Sequence, residues 1–180
     1  MHHIITRLTS FIITAAILLG LAPAFVQPGA VAAQTDALTQ KEFRTLIRKA
    51  EAKDPVYGPE DGELDADPDK VSLAYADVDL TDLLIEATFT NPQADDDHPF
   101  DIGLQIRSSK DGYIRFVVLS SGAWGISDSE SDKLLLNGKY DDLDIEEGGE
   151  NDLSLYADGD TVHAAINGDY VGTAEVTYED

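Results

Sequence analysis

The sequence predicts a mainly β protein, an antiparallel β-sandwich preceded by one helix. Three observations carry that prediction. From Val71 onward, apolar residues recur with a period of two, the signature of half-buried strands. The alternating runs are punctuated by Asp111-Gly112, Asn137-Gly138, Asp158-Gly159 and Asn167-Gly168, dipeptides that accept the positive φ angles of tight hairpin turns. A helical period occurs in one segment only, Ala37–Lys53.

The elements follow in order. Residues 1–33 read as a secretory signal peptide: Arg7 in a weakly basic start, an apolar run from Phe11 to Leu21, and small residues ending in Ala32-Ala33. Pro23 and Pro28 argue against continuing that run into a membrane span, and nothing later in the chain is apolar enough to cross a bilayer. The localisation expected from this leader is secreted, either extracellular or periplasmic. Its removal leaves about 147 residues, enough for one domain with its own core.

Residues 34–53 carry the helix. Thr39 and Glu42 form a Thr-x-x-Glu capping box, Leu38 and Phe43 a hydrophobic staple, and Phe43, Leu46, Ile47 and Ala50 one apolar face. Residues 54–70 form an acidic loop rich in Pro and Gly. The sandwich occupies residues 71–180. Its expected strands run through Val71, Leu73 and Tyr75; Ile85, Ala87 and Phe89; Phe100 to Ile106; Tyr113 to Leu119; Leu153 and Leu155; and Val162, Ala164 and Ile166.

Charge excludes several functions. Beyond the leader the chain has 11 basic and 35 acidic residues, a net charge of −24. Binding nucleic acid or anionic lipid through general electrostatics is thereby excluded. Asp outnumbers Glu by 24 to 11, which leaves three readings open: a solubilising surface, adaptation to high salt, and calcium binding on loops. Five of the 11 basic residues, Lys41, Arg44, Arg48, Lys49 and Lys53, lie on the helix. A basic helix beside an acidic domain is expected to dock onto it. The chain has no cysteine, so disulfides and thiolate metal sites are excluded.

No catalytic constellation is visible, and the protein is expected not to be an enzyme. There is no Gly-x-Ser-x-Gly elbow and no phosphate-binding glycine loop. Glu63-x-Asp65-x-Asp67 has the spacing of an acidic strand motif, but Gly62 and Pro68 bracket it as a loop. His98 follows Asp95-Asp96-Asp97 in an acidic loop, and His163 falls on the polar side of its strand, where it is expected to be solvated. No His pair has zinc-ligand spacing. No cofactor is implied. Asp65, Asp67 and Asp69 share the spacing of a calcium loop, but Lys70 replaces the glycine at position six and Ala76 the glutamate at position twelve. Calcium therefore stays open only as a site assembled from separate loops.

The candidate ligand-binding residues are Trp124, Arg107, Tyr113 and Arg115. Trp124 is the only tryptophan. An aromatic ring offers a stacking surface for a sugar, and arginine offers donors for its hydroxyls.

Several blocks, taken in order, resemble bacterial cell-surface jelly-roll domains of the concanavalin A-like lectin/glucanase type. They are Leu84–Pro92 (LIEATFTNP), Phe100–Arg107 (FDIGLQIR), Tyr113–Gly122 (YIRFVVLSSG) with Trp124, Gly149–Leu155 (GENDLSL), Ala157–Asp160 (ADGD) and Ile166–Gly168 (ING). The resemblance covers about Val71 to Gly172. It implies a non-catalytic binding module for glycans or a cell-surface partner, with Arg107, Trp124, Asn151 and Asn167 as framework positions. It also implies further strands after the Asn167-Gly168 hairpin, where this chain ends one strand later. The expectation is either a C-terminally incomplete domain or a helix that covers the gap. Two other functions compete: a structural or sensory ectodomain without a small ligand, which buried Trp124 would favour, and a polysaccharide hydrolase, which needs two carboxylates facing across a concave sheet.

Overall fold

The computed structural model of the protein describes residues 4–14, 38–65, 72–76, 78–80, 82–91 and 99–176. Two four-stranded antiparallel sheets pack face to face. Sheet A comprises β4 (Leu83–Thr90), β9 (Glu150–Asp158), β10 (Thr161–Ile166) and β11 (Asp169–Glu175), in the order β11-β10-β9-β4. Sheet B comprises β5 (Asp101–Ile106), β6 (Ile114–Leu119), β7 (Ala123–Asp128) and β8 (Lys133–Lys139), in sequence order. The chain crosses between sheets twice, from β4 to β5 and from β8 to β9. Three parallel segments extend sheet A beyond β4: β1 (Ile4–Thr14) lies beside β4, and β2 (Pro55–Tyr57) and β3 (Gly62–Asp65) pair with β1. With these segments sheet A has seven strands, of which the four antiparallel ones pack against sheet B as the sandwich.

The core follows from the strand period. Leu83, Ala87 and Phe89 of β4, Leu153 and Leu155 of β9, and Val162, Ala164 and Ile166 of β10 meet Ile102, Leu104, Ile106, Phe116, Val118, Trp124 and Ile126 of sheet B, all buried in one cluster. Alternate residues point to one side, so this cluster takes one face of each sheet.

The helix α1 (Gln40–Glu51) begins where the capping box predicts. Thr39 Oγ1 accepts from the Glu42 N–H, and the Glu42 carboxylate accepts from the Thr39 N–H at 2.8 Å. It lies on the outer face of sheet A, so the helix covers a face and not an edge. Ala50, with Leu46 and Ile47, packs on Leu84 and Tyr156. Phe43 stacks on Tyr170 at 5.1 Å, and the Gln40 side chain bonds the Tyr170 N–H and the Gly168 carbonyl across the β10–β11 turn.

Four expectations are corrected. Gly62 to Asp65, expected within an acidic loop, form strand β3, which pairs with β1. Residues 72–76 form no strand, and Leu73 and Tyr75 are exposed; the alternation is short, and no described strand takes up its hydrogen bonds. Asn137-Gly138 is not a turn but the middle of β8. A Cβ on Gly138 would sit 2.6 Å from the Trp124 indole, so glycine is there to let the ring approach the backbone. The real β7–β8 turn is held by Asp128, whose carboxylate accepts from the Glu130 N–H and the Ser131 hydroxyl. His163, finally, is buried and not solvated, because the outer face of sheet A is itself covered. The remaining hairpin signals mark turns: Asp111-Gly112 and Asn167-Gly168 fall between strands, Asp158 ends β9 with Gly159 opening the turn, and Asn167 and Gly168 both have positive φ.

Candidate functional site

The two outer faces of the sandwich differ. That of sheet A is closed by α1, whereas no described element lies over that of sheet B. Cross-strand registry arranges the open face in rows. Gln105, Arg115 and Ser127 form one row, with Leu134 at its end. Gly103, Val117, Gly125 and Asn137 form the next. Asp101, Leu119, Ala123 and Lys139 form the third, although the Asp101–Leu119 pair closes the β5–β6 ladder before the β7 partners begin. All of these residues are exposed or half-buried. The middle row carries two glycines, Leu134 reaches over Gly125 with its Cδ1 3.0 Å from where a Cβ would stand, and Gln105, Arg115, Ser127 and Asn137 add polar side chains around them.

Tyr113 and Arg115 meet here. Tyr113 precedes β6 and is pinned to Ser129: its N–H donates to Ser129 Oγ at 2.8 Å, and its carbonyl accepts from the Ser129 N–H at 3.0 Å. Strand alternation puts it on the same face as Arg115. Arg115 is exposed, and its guanidinium acts on Asp101 along the same face. Protein packed around the Asp101 carboxyl raises its pKa, and Arg115 opposes that shift.

Arg107 and Trp124 do not join them. Arg107 ends β5 with φ 54°, which breaks the alternation. Its guanidinium donates to the Gly159 carbonyl at 2.5 Å, and the Gly159 N–H donates to Asp82 at 2.8 Å. Arg107 thus ties the corner of sheet B to the β9–β10 turn of sheet A. Trp124 points into the core, 6% exposed, edge-on to Phe116 at 6.2 Å. Its indole N–H has no protein acceptor among the described residues.

Sequence reading assigned Asn151 and Asn167 only as framework positions; their task is now specific. Asn151, fully buried, exchanges two hydrogen bonds with the Asp144 backbone at 2.9 and 2.7 Å. Asn167 donates to Asn151 and accepts from the Asp152 N–H. Asn91, which sequence reading passed over, donates to the Asp144 carbonyl at 2.6 Å. The three side chains clamp the acidic β8–β9 connection to sheet A. The carboxylates of that connection, Asp141, Asp142, Glu146 and Glu147, stay exposed.

Among the described residues no group of three His, Asp or Glu side chains is placed to hold a metal ion. His98, Asp95 to Asp97, Asp67 and Asp69 lie outside the described residues. An open cleft of about 280 Å³ runs between α1 and sheet A, with Phe43 and Ile47 in its floor and Arg44, Arg48, Glu51 and Glu86 around it. Its charges are of both signs, so it selects for neither. Among the described residues no helix is long and apolar enough to cross a membrane. Comparison of the chain with protein-family models, curated proteins and solved structures finds no match.

Proposed function

We propose that the protein is a secreted, non-catalytic binding module of the concanavalin A-like jelly-roll type, which takes an extended glycan across the open face of sheet B. The observation that carries this reading is the distribution of charge. Beyond the leader the chain is at −24, yet from Phe100 to Lys139 there are five basic and five acidic residues. The strands of sheet A have six acidic residues and no Lys or Arg. A face relieved of the molecule's general repulsion, with Leu134 over Gly125 as an apolar patch and Arg115, Gln105, Ser127 and Asp101 as polar groups, suits an uncharged polyhydroxylated chain. Tyr113 would supply the ring for stacking and Arg115 the charged donor, whose hydrogen bonds are the stronger kind.

Isothermal titration with a panel of neutral oligosaccharides, repeated for Tyr113→Ala and Arg115→Ala, tests the reading. Binding to one sugar class that each substitution weakens at least about tenfold supports it; a tenfold loss is about 1.4 kcal/mol. No binding across the panel, or binding indifferent to both substitutions, overturns it.

A second reading has its own observation. Trp124 is committed to the core and offers no ring to a ligand. That favours a structural or sensory ectodomain without a small ligand, for which the panel gives no binding and the open face instead contacts a partner protein.

A further inference from the structure

The covered face of sheet A contains a titratable group that glycan binding does not use. His163 of β10 is 7% exposed. Its ring stacks on Tyr156 of β9 at 5.9 Å with an interplanar angle of 19°, and Tyr156 in turn packs with Ala50 near the end of α1. On the other side, His163 Nδ1 lies 2.7 Å from Thr173 Oγ1, and Thr173 Oγ1 lies 2.5 Å from the Tyr170 hydroxyl, both on β11. Tyr170 carries the start of α1 through the Phe43 stack and the Gln40 hydrogen bond. The imidazole therefore sits between the two supports of the helix.

With the ring proton on Nε2, the polar chain runs one way: Tyr170 donates to Thr173, and Thr173 donates to Nδ1. Protonation of the ring turns Nδ1 into a donor. Thr173 then accepts from the ring, its own hydroxyl proton loses Nδ1 as its acceptor, and a positive charge is buried beneath the helix.

We propose that His163 is an acid-sensitive latch for α1: protonation of its ring loosens the helix from the outer face of sheet A while the sandwich stays folded. The surroundings fit. Burial lowers the pKa of His163, and the Asp158 charge on β9 opposes that only in part. Burial raises the pKa of the Tyr156 phenol on β9, so that it stays neutral at acid pH, and Tyr170 faces Thr173 from its own strand, β11. The side chains that α1 sends to the sheet, Phe43, Leu46, Ile47 and Ala50, do not titrate, and Lys49, Glu51 and Lys53 beside Ala50 are exposed. The sign follows. An undocked ring takes its proton near its ordinary value of 6.5, whereas the docked ring resists it. Docking is therefore strongest above pH 6.5, weakens as the pH falls below it, and levels off below the docked ring's own pKa. The helix's own cap does not fail in that window, because Thr39 holds Glu42 below the usual carboxylate range.

Hydrogen exchange followed by mass spectrometry at pH 7.5 and 5.5, each corrected for the intrinsic rate, tests the latch on the wild type and on His163→Gln. The wild type is expected to lose α1 protection several-fold at pH 5.5 with β6 and β9 unchanged, and His163→Gln to show equal α1 protection at both pH values. His163→Asn serves as the second neutral variant should His163→Gln fold poorly. Unchanged α1 protection in the wild type, or an equal loss in the wild type and the neutral variants, overturns the proposal. Because no sugar is present, the outcome is independent of the glycan reading.

Discussion

Sheets A and B share one core yet present opposite exteriors. Sheet A is buried on both sides at β10, which reads Thr-Val-His-Ala-Ala-Ile with everything after Thr161 buried, whereas Glu150 and Asp152 of β9 stay exposed. Sheet B alternates over β5, β6 and β7, as in β5, where buried Ile102, Leu104 and Ile106 interleave with more exposed neighbours, while β8 has no buried residue. The charges divide the same way, with a basic helix over the acidic sheet and balanced charge on the open one. The difference teaches where each kind of constraint acts. Substitutions outside the shared core should matter for stability on sheet A and for recognition on sheet B.

The comparison is sharpened first by Tyr156→Ala and Val117→Ala, which truncate outward-facing residues of the two sheets. Losing a buried aromatic under α1 is expected to cost about 3 kcal/mol, whereas losing half-buried Val117 costs less than about 1 kcal/mol; urea denaturation reads both. Equal costs would mean that something also covers sheet B. Next comes Asn151→Ala, which leaves the Asp144 N–H without its acceptor and the Asp144 carbonyl with the Asn91 donor alone. It is expected to cost about 2–3 kcal/mol and to free the β8–β9 connection to rapid proteolysis.

Trp124→Phe should be smaller still. Phenylalanine keeps the edge contact with Phe116 and removes a donor that has no partner among the described residues, so the change in stability is expected within about 1 kcal/mol. The wild-type indole, in turn, should fluoresce at the short wavelengths of a buried tryptophan. Arg115→Ala comes last, within about 0.5 kcal/mol of the wild type in stability, although it removes a main donor of the proposed glycan site.

Much of the sandwich was legible in the sequence, because strands with one wet face advertise themselves by alternation, and three of the four hairpin dipeptides mark real turns. The capping box placed the helix start at Thr39 and Gln40. What was not legible depends on the third layer. Alternation put His163 on the polar side of β10, and only the docking of α1 makes that side an interior. Trp124 looked like a binding residue because a lone tryptophan near glycines is ambiguous until its facing partner, Gly138, is known. Arg107 leaves the alternation of β5 because its positive φ turns it toward Gly159. Tyr113 and Arg115 kept their phase and stayed together on the open face. Asn91 left no signal: its role rests on a loop more than fifty residues away in sequence.

The most direct test of the division between the faces is an amide chemical-shift titration with the oligosaccharide panel. Shifts concentrated at Gln105, Tyr113, Arg115, Val117 and Ser127, with α1 and β10 silent, are predicted. Shifts confined to α1 and the outer face of sheet A, or none with any sugar, would contradict the assignment of recognition to sheet B.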